Sequence, residues 1–155
     1  MSLENFQAAV TAITQNLTLP AGPALAEQLA QIAPPGSTPF QTLAALCKQG
    51  VAENWLADRT AGGIRYGRAI KASPTTHHFS VDVVEMDDIA GPFHAHPNGE
   101  IDMILPLDPE ATFDGQAEGW LVYAPGTRHA PTVRGGRAII LYLLPEGAID
   151  FKATP

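Results

Sequence analysis

His94, His96 and Glu100 sit close together in the stretch FHAHPNGEID. Two neutral imidazoles and a carboxylate are a common ligand set for a divalent first-row metal. Whether they meet depends on the turn Pro97-Asn98-Gly99 between them. A two-residue Asn-Gly loop would pair His96 with Ile101 and send Glu100 to the opposite side of the sheet. Proline, however, favours the second position of a type I turn and glycine the fourth, which His96-Pro97-Asn98-Gly99 satisfies. Gly99 then supplies the left-handed residue of a three-residue hairpin loop with a bulge. In that register His96 faces Glu100, His94 points the same way, and Asp102 joins them opposite His94. Phe93, Ala95, Ile101 and Met103 fall on the other face as an apolar set.

A fourth ligand is wanted. Of the remaining histidines, His129 has the best context, at the end of APGTRH, residues 124–129, where a strand begins after a tight Pro-Gly turn. His77 and His78 are adjacent, so a strand would send them to opposite faces and they cannot share one ion.

These residues need a scaffold of short strands. The chain has 155 residues, 45% apolar, which suggests one compact domain with a real core. Its 14 Gly and 14 Pro argue for many turns rather than a helical bundle. Residues 1–60 read as a helical segment. Phe6, Val10, Ile13 and Leu17 recur at a helical period, Pro23 opens a second helix, and a third begins near Pro39, with Gly50 placed to cap its end. From residue 61 to 155 the pattern changes to strands: 64–71, 77–86, 93–96, 100–105, 119–123, 128–133, 137–144 and 148–152. Arg134-Gly135-Gly136 reads as a hairpin turn. Eight short strands with no helical pattern between them suggest an antiparallel sandwich or barrel.

The net charge of −7 and the lack of a basic stretch exclude a nucleic-acid partner. The longest strongly apolar run, AIILYLL, is far too short to span a bilayer, and the first residues show no basic-then-apolar leader. A cytoplasmic protein with no membrane partner is the expectation. The single cysteine, Cys47, excludes an internal disulfide and falls in a helix, as a buried inert thiol would.

H-x-H-x3-E at 94, 96 and 100, followed by P-G-T-x-H ending at 129, resembles the two motifs of the cupin superfamily. The pattern departs at Leu107 and Val133, where glycine and asparagine are usual. The resemblance implies a mainly β, jelly-roll antiparallel barrel that holds a metal in its lumen, with His94, His96, Glu100 and His129 as ligands. The ligand types suit Fe, Mn, Ni, Co or Zn equally.

The stretches FHAHPNGEIDMILPLDPEATFDG and GWLVYAPGTRHAPTVRGGRAIILYLLPEGAIDF resemble the 4-hydroxylaminobenzoate lyase family. That resemblance implies conversion of 4-hydroxylaminobenzoate to 3,4-dihydroxybenzoate and ammonia in nitroaromatic degradation. It also implies a small aromatic carboxylate as partner, and cupins of this type are often homodimers. The reaction adds water without net oxidation, so it needs a Lewis acid rather than a nicotinamide or flavin. Asp102 is the candidate to move protons, with a supporting role behind a ligand histidine as the alternative. The substrate carboxylate asks for an arginine; Arg68, in a strand with Tyr66 on its face, is the candidate, and Arg65, on the opposite face, stays open because alternation does not say which face is inward. Trp120, Tyr123 and Tyr142 are candidates to line an aromatic pocket. Two other readings stay open: an Fe(II) cupin dioxygenase, which would consume oxygen, and a non-catalytic binding cupin.

Overall fold

The structure, a computed structural model, describes residues 2–155. Three helices come first. In α1 (Leu3–Thr14) the buried residues Phe6, Val10 and Ile13 repeat at a helical period. Pro23 opens α2 (Pro23–Ile32), which buries Leu25 and Leu29. In α3 (Thr38–Ala52) the Ser37 hydroxyl caps the start by accepting from the Phe40 amide, and Phe40, Leu43, Cys47 and Val51 are buried. Gly50 does not cap α3; it lies inside it. A Cβ there would stand 2.5 Å from the Leu56 side chain, so glycine lets the next segment pack close. No helix among the described residues is long and apolar enough to cross a membrane.

Ten strands follow: β1 (Arg59–Ala61), β2 (Ile64–Ile70), β3 (Phe79–Asp87), β4 (His94–His96), β5 (Glu100–Pro106), β6 (Thr112–Phe113), β7 (Gly119–Tyr123), β8 (Thr127–His129), β9 (Val133–Arg134) and β10 (Arg137–Pro145). Six form one sheet in the order β1-β2-β3-β10-β5-β7, and two short ladders, β4-β8 and β6-β9, complete the jelly roll. The paired neighbours are antiparallel.

The central strands β5 and β10 are buried on both faces, which explains the apolar runs 103–106 and 138–145. Alternation splits them cleanly. Val81, Val83, Ile101, Met103, Leu105, Leu141 and Leu143 pack with α1–α3 in one core. Val84, Met86, Ile104, Ile140, Tyr142 and Leu144 pack on the other face with Phe113 and Val133 from the β6-β9 ladder. The helices therefore cover one face of the sheet and leave the other to the short ladders and the site between them.

Several strand expectations are corrected. The turn at 96–99 forms, with the Gly99 amide donating to the His96 carbonyl at 3.2 Å, and Gly99 has a φ of 87°. Yet it does not close a hairpin. β4 pairs with β8, while β5 pairs with β10 and β7, so the turn carries the chain from a ladder to the large sheet. The expected strand at 128–133 splits into β8 and β9. Arg134-Gly135-Gly136 joins β9 to β10, but β9 pairs with β6, so this is a corner as well. His77 and His78 have φ of 55° and 69°, which delays β3 to Phe79. Residues 148–152 form no strand; one bridge, Ala95 to Asp150, ties them to β4.

Candidate metal centre

The corner at 96–99 is what brings the ligand types together. β4 presents His94 and His96 into the interior from the small ladder, and His129 lies directly across from His94 in β8. Glu100 starts β5 on the opposite sheet and points at them. His94, His96 and Glu100 are buried and His129 is nearly so. His94 Nε2 and His96 Nε2 stand 3.4 and 3.3 Å from Glu100 Oε1. His129 Nε2 is 3.6 Å from Glu100 Oε2 and 3.2 Å from His94 Nε2.

Donors each about 2.0–2.2 Å from a shared ion stand roughly 3–3.5 Å from one another. The closest pairs match that spacing, and all four candidate ligand atoms lie within 4.8 Å of one another. His96 Nε2 and Glu100 Oε2 are fully buried without a hydrogen-bond partner, an arrangement that an ion among them would satisfy.

The far nitrogen of each imidazole is held. His94 Nδ1 donates to the Pro92 carbonyl at 3.2 Å. His96 Nδ1 lies 2.9 Å from Thr127 Oγ1, and the Thr127 hydroxyl donates its own proton to the Ala124 carbonyl at 2.6 Å. The threonine oxygen is therefore an acceptor toward His96. His129 Nδ1 donates to Asp114 Oδ2 at 2.6 Å. With every Nδ1 carrying a hydrogen, the three Nε2 lone pairs are left for the centre, which is how histidine ligands are oriented.

Asp114 went unnoticed in the sequence, where Asp114-Gly115 reads only as a turn. It is a turn, with Asp114 at a φ of 48°. Its carboxylate also collects His129 Nδ1, the Tyr123 hydroxyl at 2.6 Å and the Thr132 amide at 2.9 Å. Burial would raise its pKa, but these hydrogen bonds, His129 first, hold it below the usual carboxylate range. Burial would likewise lower His129, yet hydrogen bonds to Asp114 and Glu100 and their charges bring it up to about 9.

Asp102 is fully buried, and neither of its oxygens has a donor within reach. Burial, and then the neighbouring Glu100 charge, hold its carboxyl well above the usual range. Burial opposes ionisation of Glu100 too, but its close polar neighbours, His129 first and then His94, His96 and Asp102, hold it well below that range. The pair is relieved when Asp102 keeps a proton and donates it toward Glu100. Asp102 pairs across the strands with Tyr142 and Leu121, not with His94 as the hairpin reading had it.

A cleft of about 760 Å³ runs from His94 over β2 and β3, lined by Tyr66, Arg68, Asp82 and Tyr142 among others. Arg68 faces this cleft. Its Nε and Nη2 donate to the Asp82 carboxylate at 2.8 and 3.2 Å, and its Nη1 makes no hydrogen bond among the described residues. Arg65 faces the other way, reaching Glu85 and the Ala57 and Val51 carbonyls at the helices. Tyr123 is brought to the cluster, its ring stacked on His96 at 5.2 Å, but its hydroxyl is spent on Asp114. Trp120 is not brought there. It faces the helices, where its indole N–H donates to the Ala33 carbonyl at 2.7 Å and its ring meets Phe40 edge-on at 5.8 Å. Position 120 pairs with Met103, so alternation turns it away from Glu100 and Asp102.

The chain is similar to known proteins over most of its length. A 4-hydroxylaminobenzoate lyase from Nocardioides sp. (strain LMS-CY) is 38% identical over 130 residues, spanning 78% of this chain and 77% of that one. One from Pseudomonas putida is 36% identical over 138 residues, spanning 77% and 78%. Among solved structures, an RmlC-like cupin protein from Ralstonia eutropha is similar with a TM-score of 0.39 and 13% identity, over 55% of this chain and 58% of that one. Residues 6–151 match the family described as PnbB: 4-hydroxylaminobenzoate lyase. With the family match and these two lyases in agreement, the chain belongs to the 4-hydroxylaminobenzoate lyase family.

Proposed function

We propose that this protein is a metal-dependent lyase that converts 4-hydroxylaminobenzoate and water to 3,4-dihydroxybenzoate and ammonia. The observation that carries the reading is the buried cluster of three histidines and one glutamate, each imidazole held at Nδ1 with Nε2 turned inward. His94, His96, Glu100 and His129 would hold the ion, which Fe, Mn, Ni, Co or Zn could each provide. Bound there, it would supply Lewis acidity to weaken the N–O bond or activate water.

The chain's own residues supply the rest. Asp114 and Thr127 fix His129 and His96 so that ligand orientation survives substrate entry. Asp102, buried beside Glu100, is the proton carrier of the site in this reading. Arg68 anchors the substrate carboxylate through Nη1, with Asp82 holding the guanidinium in place. The register supports that span. Arg68, Asp82, Tyr142 and Asp102 form one row across four adjacent strands. Three interstrand gaps place Arg68 roughly 14 Å from Asp102 between backbones. With both side chains reaching inward, that leaves room for one benzene ring over Tyr142.

The test is anaerobic. Purified protein is assayed for metal content and then given 4-hydroxylaminobenzoate without oxygen. Ammonia and dihydroxybenzoate in equal amounts support the lyase. Turnover that requires and consumes oxygen would replace it with a dioxygenase.

A further inference from the structure

Among the described residues, the large hydrophobic side chains left exposed are Leu3, Leu19, Tyr66 and Phe151. The two aromatic ones both line the cleft that reaches His94. Phe151 is 60% exposed and lines the cleft. It is not a loose tail residue. The Ala95 amide donates to the Asp150 carbonyl at 2.8 Å, and the Asp150 amide returns a bond to the Ala95 carbonyl at 3.0 Å. This bridge sets Phe151 beside β4, and its ring meets that of His94 edge-on at 5.5 Å. Tyr66 reaches the cleft from β2, paired with Val84 on the face that also carries Arg68 and Tyr142.

We infer that Phe151 and Tyr66 form an aromatic clamp that selects a flat ring and positions it beside His94. This inference rests on the lyase reading and deepens it by naming what recognises the ring. Offset or edge-on contact between aromatic rings adds attraction beyond area burial, and a saturated ring of similar size cannot reproduce it. The cleft volume of about 760 Å³ is ample for a one-ring ligand, so selection comes from contact with these two faces rather than from confinement. The ligand class is an aromatic monocarboxylate: ring on the clamp, anion toward Arg68.

The experiment compares wild type with F151A, Y66A and F151L. KM and kcat are measured with 4-hydroxylaminobenzoate, and binding of the unreactive 4-hydroxybenzoate and of cyclohexanecarboxylate is measured by calorimetry. The clamp predicts a rise of about three- to tenfold in KM and in the 4-hydroxybenzoate Kd for each alanine variant, with metal content nearly unchanged. It also predicts that wild type prefers the aromatic over the saturated ligand and that F151L, apolar but not aromatic, fails to restore the preference. Alanine variants with wild-type KM and Kd, or full rescue by F151L, overturn the clamp while the lyase stands. A wild type that makes no ammonia yet shows Phe151-dependent binding of 4-hydroxybenzoate overturns the lyase reading and keeps the clamp. Absence of both overturns both.

Discussion

Asp114 Oδ2 stands 2.6 Å from His129 Nδ1, and the same oxygen accepts the Tyr123 hydroxyl at 2.6 Å. One carboxylate, carried on a turn, thus sets the angle of the histidine that completes the cluster. Asp114→Ala is expected to lower metal affinity by about 10–100-fold while the fold survives, since such supporting partners tune metal sites by that amount. Competition against a chromophoric chelator measures it; wild-type affinity in the variant would remove Asp114 from the site's design.

Metal uptake should release a proton. Burial works against the charged form of His129, but Asp114 and Glu100 bring it up to about 9, so below that pH an entering ion must displace this proton. The sign follows: affinity is greatest above pH about 9 and weakens as pH falls, by about tenfold per unit for one displaced proton. Calorimetry in buffers of different ionisation heat counts the proton directly. A flat affinity between neutral pH and 9 would contradict this account.

Asp102 separates a proton-transfer role from a purely supportive one. Asp102→Asn keeps the shape and can still donate toward Glu100, so metal content should stay near wild type. Loss of a positioned acid or base lowers kcat by about 10²–10⁴-fold. Asp102→Ala should lose metal as well, because Glu100 is left beside a cavity. If Asp102→Asn keeps full kcat, the residue only holds Glu100.

Gly99 is where turn geometry can be tested without touching a ligand. Its φ is 87°, and a Cβ there would lie 2.6 Å from the Ala21 side chain and 2.7 Å from the Tyr123 carbonyl. Gly99→Ala is expected to cost about 2–4 kcal/mol of stability from strain and overpacking together. Metal content should fall with it, because the corner positions Glu100 against His96. Thermal melts with and without added metal would show both effects.

Trp120 gives the opposite case. Its bond to the Ala33 carbonyl ties the sheet to the end of α2, so Trp120→Phe should cost about 1–3 kcal/mol through the buried carbonyl left unpaired. KM and kcat should not move. A raised KM would return Trp120 to the substrate pocket.

That His94, His96 and Glu100 would cluster was legible because their spacing is local. His94, His96 and Glu100 are fixed by one turn, and Pro97 with Gly99 specified that turn. The pairing was not legible. Nothing in residues 93–105 says that β4 will join β8, because that choice is made by β8 and by the large sheet competing for β5. The candidate ligands converge across the interior of the jelly roll, not across a hairpin. Arg68 and Arg65 could be placed on opposite faces by alternation, but only the position of the helices decides which face is inside. Trp120 was misplaced for the same reason. Asp114 is harder still: its role depends on β8 folding back over a turn, and an Asp-Gly pair carries no sign of that.

β10 lies between β3 and β5 in the large sheet, although it follows both in the chain. This has a consequence for the order of assembly. The strand carrying Glu100 and Asp102 has no central neighbour until residues 137–145 arrive. His94 likewise waits for His129. Non-local pairings of this kind form slowly, because loop closure comes before any contact rewards it. The four side chains of the cluster therefore meet only as the sheet zips shut around its last central strand, so any ion they hold would enter a nearly finished fold instead of seeding one.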